Sequence, residues 1–310
     1  MKGTRRGRPG QRRPRPRLTD ELLDAPVRHA ARVVARAFLQ IAIVERAGLP
    51  DGSNALHDFR VSVRRLRSWL RAFRAWLPDS GRGRARRSLA TLAGASNQAR
   101  DAEVGLEWLD AQRALPLQAR RQLRQVQRRL RNELRAAKRG FQRQLAREFR
   151  PAVRALDGEL QASADELTAA APGNPRTRTV YAELIRSHAA ELDAALRRVR
   201  TVDDEGFAHR ARIAGKRLRY LLEPLLSDAA ARGAVHRLVR LQDALGELHD
   251  ACVLGARLQH VHSVLAHRAR ERTTRAFDRV ARGWLGGRTA PLVDALAGVA
   301  DGARLRPAVS

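Results

Sequence analysis

Residues 57–67 read His-Asp-Phe-Arg-Val-Ser-Val-Arg-Arg-Leu-Arg, and their spacing is that of a two-faced helix. At about 100° per residue, His57, Arg60, Arg64, Arg67, Arg71 and Arg74 fall on one stripe. Phe59, Val63, Leu66, Leu70, Phe73 and Leu77 fall on another, with the i, i+3, i+4 spacing of a core-facing side. A guanidinium presents a planar fork of donors that matches phosphate oxygens. A row of them along one helix face can therefore grip an extended polyanion.

The pattern occurs twice. Residues 209–219, His-Arg-Ala-Arg-Ile-Ala-Gly-Lys-Arg-Leu-Arg, overlay the first stretch at an offset of 152, with five of eleven positions identical. The second basic stripe is His209, Arg212, Lys216 and Arg219, and its apolar stripe is Ala211, Leu218, Leu222 and Leu225 around Gly215. Arg65 and Arg217 belong to the same motif but sit off the main stripe. A charge run on a helix is usually a solvated face, but such faces mix acids with bases at i, i+4. Here like charges crowd one another, and the crowding recurs in a second segment. A shared anion site accounts for both facts.

A second pair of stretches follows. Arg-Asp-Ala-Glu-Val at 100–104 answers His-Asp-Ala-Cys-Val at 249–253, at an offset of 149. Asp101 and Asp250 thus occupy equivalent places on the helix after each basic helix. In so basic a chain they are expected to pair with arginine and fix its side chain.

Catalysis finds little support in the residues. Among the nine histidines, His260 and His262 are two apart, which points them to different sides of a helix. No His-Glu-x-x-His, phosphate-cradling glycine loop or Gly-x-Ser-x-Gly is present. His57 and Asp58 are adjacent and do not face one another on a helix. The reading is a binding protein with no catalytic residues, no metal and no cofactor.

Composition sets the class of partner. The 310 residues carry 61 basic and 32 acidic side chains, a formal charge of +29. Only Lys2, Lys138 and Lys216 are lysines. Codon usage can favour arginine over lysine, but it does not produce net charge, so a polyanionic partner is implied. Duplex or single-stranded nucleic acid competes for that role. Aromatic residues are 4% of the chain, which leaves few platforms for base stacking. Trp69, Phe73 and Trp76 fall largely on the core side of their helix. An exposed basic face docking an acidic protein, as a scaffold, is the other alternative. Cys252 is the single cysteine, which rules out a disulfide within the chain and suits a reducing compartment. No apolar run reaches the length of a membrane span, and the basic N-terminus lacks the apolar core of a signal peptide. A cytoplasmic location is expected.

The elements that must position these residues are helices throughout. Residues 1–19 form an expected disordered basic arm, and 303–310 a tail. A first helix is expected over 21–48, with Val33, Val34, Phe38, Ile41, Ile43 and Val44 facing inward. The turn Leu49-Pro50-Asp51-Gly52 precedes the first basic helix, which Ser53 or Asn54 caps and which ends near Pro78–Gly81. A third helix spans 83–113. A long basic fourth starts at Pro116 and is interrupted at Pro151, with a lighter continuation over 152–171. Pro172-Gly173-Asn174-Pro175 marks the boundary of two halves, about 20–171 and 176–302. The second half repeats the plan with a helix over 178–200, an acidic turn at 203–206, the second basic helix, and two more helices to about 300. The fold class is all-α, two four-helix bundles related by internal duplication.

The stretches His57–Arg67, Arg100–Val104, His209–Tyr220 and Leu241–Asp250, in this order and spacing, resemble the CHAD family, the conserved histidine α-helical domain. The resemblance spans roughly residues 20–300 and departs at Asn97, where the second half has Gly246; that exchange bears on local backbone rather than on the stripe. It implies two bundles about a pseudo-twofold axis, with the basic helices lining a positive central channel. It further implies inorganic polyphosphate as ligand and granules of that polymer as a further location. The Glu-x-Glu-x-Lys signature of the triphosphatase domain fused to some members is absent. The chain therefore looks like a stand-alone binding domain. Its expected ligand residues are His57, Arg60, Arg64, Arg65, Arg67, Arg71, His209, Arg212, Lys216, Arg217 and Arg219, with Asp101 and Asp250 as orienting carboxylates. Nucleic acid is expected to bind only weakly and without specificity.

Overall fold

The computed structural model describes residues 15–49, 55–77, 82–165, 174–261 and 263–305. Among these residues the chain forms ten α-helices and no strand. They are α1 (Asp20–Asp24), α2 (Val27–Ala47), α3 (Ala55–Ala72), α4 (Arg82–Asp110), α5 (Leu117–Asp165), α6 (Thr177–Arg197), α7 (Glu205–Leu222), α8 (Ala229–Leu258), α9 (Ser263–Trp284) and α10 (Ala290–Leu305). Residues 1–14, the turn at 50–52 with its caps Ser53 and Asn54, Pro78–Gly81, Pro172-Gly173, His262 and residues 306–310 lie outside the described residues.

Four sequence expectations change. The first helix is split, because Pro26 has no N–H and holds Ala25 extended at ψ 160°, so α1 and α2 are separate. On α2, Val34 and Phe38 are buried as expected, but Val33 and Val44 are 39% and 67% exposed. Val27, Ala31, Val34, Phe38 and Ala42 take the inward face instead. Pro151 does not interrupt α5, which runs unbroken for 49 residues. Pro151 and Arg147 both lie on the exposed side of α5, where a carbonyl left without its helical N–H is least costly because water can replace the donor. Last, three α-helices rather than two follow the second basic helix. Gly286 and Gly287, at φ 63° and 85°, turn the chain between α9 and α10 in the left-handed region that glycine tolerates.

The arm expected over 1–19 is packed at its inner end. Leu18 is 1% exposed, and its N–H donates to the Pro224 carbonyl at 2.9 Å. That contact ties the segment before α1 to the turn after α7.

Each of α2 to α5 touches the helix four places later: α2 with α6, α3 with α7, α4 with α8, and α5 with α9. The starts of α2 and α6 exchange backbone hydrogen bonds, Val27 N–H to the Pro175 carbonyl and Thr177 N–H to the Ala25 carbonyl, both 3.0 Å. One contiguous apolar core draws residues from α1 through α10. A smaller cluster of Leu106, Leu109, Leu130, Leu254 and Leu258 knits α4, α5 and α8 together. Behind α3 lies an aromatic block: Trp69 sits against Phe38, Phe73 and Tyr181, and its indole N–H donates to the Ala31 carbonyl at 2.8 Å.

Tyr181 carries the matching bond to the other basic helix. Its buried hydroxyl donates to the Leu221 carbonyl of α7, and burial pushes the phenol's pKa up. Tyr181→Phe keeps the ring but removes the donor. We expect a loss of about 1–3 kcal/mol of stability. In urea the midpoint should fall with the slope unchanged; an unmoved midpoint would show that this bond does not anchor α7.

Candidate basic site

α3 and α7 present their apolar stripes to the core, and this orients the basic stripes. Phe59, Val63, Leu66 and Leu70 are buried on α3, as are Ala211, Leu218 and Leu222 on α7. His57, Arg60, Arg64 and Arg67 share the other side of α3, with Arg71 in its last turn. Because α3 packs on α7, the two stripes meet. Arg64 lies close enough to Arg212 and Lys216 to disfavour their charged forms, and Arg67 and Arg217 stand in the same relation. The structure thus brings together Arg60, Arg64, Arg67, Arg71, Arg212, Lys216, Arg217 and Arg219, with His57 and His209 towards the helix starts.

The electrostatics are those of crowded cations short of counter-charge. Burial, then the positive neighbours Arg212, Arg64 and Arg219, pull Lys216 down to about 7 from 10.5, against the carboxylate of Asp250. Arg60 is brought down to about 10, first by burial and then by Arg64 and Arg100. Arg212 and Arg67 are lowered, each first by burial. His57 and His209 are also lowered, again chiefly by burial. The buried Nε atoms of Arg60, Arg212 and Arg219 have no hydrogen-bond partner among the described residues. A buried donor without a partner is costly, so these side chains are held short of acceptors as well as of counter-charge.

Arg65 has a different place. Its Nε donates to the carboxylate of Glu223, directly after α7, in an ion pair of low exposure on both sides. Glu223 stands where the first copy has Arg71, so the second motif supplies an acid that fixes α3 to α7. Arg65 is therefore a structural link, not an open ligand. Arg217, its counterpart, faces Arg71 and Glu191.

Asp101 and Asp250 do come together. They line one small cleft with Val104, Val253 and Arg257, at the contact of α4 and α8. Neither makes a hydrogen bond or close ion pair with a described residue. They act as charges at longer range: Asp250 favours charged Arg212 and Lys216, and Asp101 favours charged Arg60 and Arg212. Burial raises the Asp250 carboxyl, and Arg212 and Arg100 oppose that shift. The contact role expected of Asp101 falls to Asn97, one turn earlier on α4. Its Oδ1 accepts from Arg64 Nη2 at 2.5 Å and from Arg60 Nη2 at 3.4 Å. The exchange of Asn97 for Gly246 therefore bears on the stripe itself.

His249 was also missed. Its ring lies 5.0 Å from that of His209, and burial followed by Arg212, His209 and Lys216 brings it down to about 4. It therefore stays neutral near pH 7. The signal was available: His249 answers Arg100 in the second pair of stretches, and each directly precedes the repeated aspartate, Asp250 or Asp101.

The profile of the CHAD domain family matches residues 32–259 of this chain. A search of curated proteins found no match. Among solved structures, the chain is similar to the crystal structure of the CHAD domain from the plant Ricinus communis. The TM-score is 0.64 and the identity 21%, covering 96% of this chain and 98% of that one. At that identity the likeness concerns the fold.

Proposed function

This chain belongs to the CHAD domain family, and from that premise we propose that it binds inorganic polyphosphate, without cleaving it, along the joined basic stripes of α3 and α7. The observation that carries the reading is the meeting of two cationic stripes most of whose members are half-buried and short of acidic partners. Their assigned ligands to phosphate oxygens are His57, Arg60, Arg64, Arg67, Arg71, His209, Arg212, Lys216, Arg217 and Arg219. Asn97 orients Arg60 and Arg64, and Asp101 and Asp250 hold their neighbours charged. The matched helix order and the contacts between counterpart helices support internal duplication, with halves of about 20–171 and 176–302. A cytoplasmic location, including polyphosphate granules, goes with this ligand. Among the described residues no helix is long and apolar enough to cross a membrane.

Recession of the cations favours a thin chain over a wide duplex, and the large aromatic rings behind α3 are spent in the core. Trp69 and Phe73 are 1% and 0% exposed, so they offer single strands no stacking surface. Competition at matched phosphate concentration tests the ligand class. Long-chain polyphosphate is expected to displace labelled polyphosphate at concentrations where duplex DNA and RNA do not. Equal displacement by duplex DNA would replace this reading with general polyanion docking on an exposed basic face.

A further inference from the structure

A second row of arginines lies on α5, outside the central site. Arg121, Arg124, Arg128, Arg139, Arg143 and Arg150 are all exposed and fall within about 100° of one another around the helix. They run for about 45 Å at 1.5 Å rise per residue. None of the six has an acidic partner among the described residues, whereas four other cations of α5 do: Arg129 pairs with Glu133, Arg131 with Asp110, Lys138 with Glu103 and Arg147 with Glu148. A solvated helix face would interleave its own acids with these arginines; here the acids of α5 are spent off the row.

The row approaches the central site through Lys138, which lies beside it on α5. Lys138 Nζ lies 3.0 Å from the Glu103 carboxylate of α4, and Glu103 in turn favours the charged form of Arg60. A polyanion leaving the α3 stripe at Arg60 would reach the middle of α5 by way of Lys138, past Glu103.

We propose that the exposed arginine row of α5 is a second binding surface for the same polymer, engaged only by chains long enough to run out of the central site. The inference rests on the polyphosphate reading above. Several features favour a linear flexible polyanion here. The strands of a duplex wind away from a straight row, so only a few phosphates would meet it. The aromatic residues of α5, Phe141 and Phe149, are 5% and 4% exposed, which leaves bases nothing to stack on. A lipid surface would need several apolar residues beside the row, and apart from Leu117, 64% exposed at the helix start, those of α5 are turned into the core. Joining two weak surfaces through one chain raises apparent affinity by effective concentration, with no new contact in the central site.

The test uses Arg121, Arg124, Arg128 and Arg139 changed together to Gln, which keeps helix propensity. A control with Arg28, Arg237, Arg240 and Arg304 changed to Gln removes the same charge from exposed positions on other helices. Tripolyphosphate and long-chain polyphosphate are titrated into the full chain and both variants. The α5 variant is expected to bind tripolyphosphate like wild type and to lose roughly tenfold to a hundredfold for the long chain, with a flatter salt dependence. The control is expected to lose much less. Equal losses in control and α5 variants, or an unchanged long-chain affinity, would overturn the second surface while leaving the central site in place. A larger loss for duplex DNA than for polyphosphate would reassign α5 to nucleic acid. Wild-type protein that binds neither phosphate polymer would instead overturn the reading of the central site.

Discussion

Reversing the charge at Lys216 is expected to weaken polyphosphate binding by about 2–5 kcal/mol, roughly thirtyfold to a few thousandfold. Lys216 sits where the two stripes meet, with Arg64, Arg212 and Arg219 as neighbours. A carboxylate placed there removes one charge-assisted contact and adds repulsion against every phosphate nearby. It also gives the three arginines an internal anion, so the site is filled by the protein itself. For the same reason the fold should survive: Lys216 lies off the apolar stripe, and relief of like-charge crowding favours the unliganded protein. Arg64→Glu should act in the same direction from the other helix, with the added loss of the bond to Asn97. Each reversal should flatten the fall of log affinity with log salt, because fewer counterions are displaced. The measurement is titration of both variants at two salt concentrations, with circular dichroism as the folding control. A Lys216→Glu protein that remains helical and binds like wild type would remove α7 from the site and confine the function to α3.

The stripes themselves were legible because two periods coincide in one segment. On α3 the apolar residues repeat at helical spacing and the arginines repeat a fixed angle away, so burying one set necessarily turns out the other. On α2 the same reasoning failed. Its apolar residues surround the helix, the period is ambiguous, and Val33 and Val44 ended exposed. Charge type was legible in the motif, whereas partnership was not. Arg65 and Glu223 are 158 residues apart, and only the packing of α3 on α7 brings them together. Asn97 was read as a backbone variation because its counterpart is glycine; what matters is that its carbonyl oxygen stands one helical turn before Asp101, facing α3. Pro151 misled for a related reason. The missing N–H is tolerated where the carbonyl it leaves unmatched can reach water, and sequence alone did not reveal which side of α5 is wet.

Binding is expected to weaken as pH rises above about 7, by up to tenfold per unit, through the proton on Lys216. In the unliganded protein its amine is half neutral near that pH, because burial and three arginines oppose the charge. Phosphate oxygens laid against it favour the ammonium form and raise its pKa on binding. Above about 7 the complex therefore takes up a proton that the unliganded protein lacks, and affinity falls until pH reaches the bound pKa. Folding stability moves the other way. In the unfolded chain Lys216 titrates near 10.5, above its folded value of about 7, so between these limits the unfolded state binds more protons and stability rises with pH. His249, lowered to about 4, contributes nothing in this range. His57 and His209, both lowered below 6.5, would add attraction only on its acid side. Terminal phosphates of the polymer also titrate near neutrality, and Lys216→Arg separates the two sources, since arginine stays charged throughout. Calorimetric titration in buffers of different ionisation heat, at steps between about pH 6 and about pH 9, reads both affinity and proton uptake. Wild type is expected to take up close to one more proton than Lys216→Arg in the upper part of that range and to lose affinity more steeply. Matching uptake and matching slopes in the two proteins would show that Lys216 does not meet the phosphates, and that the two stripes do not act on one chain.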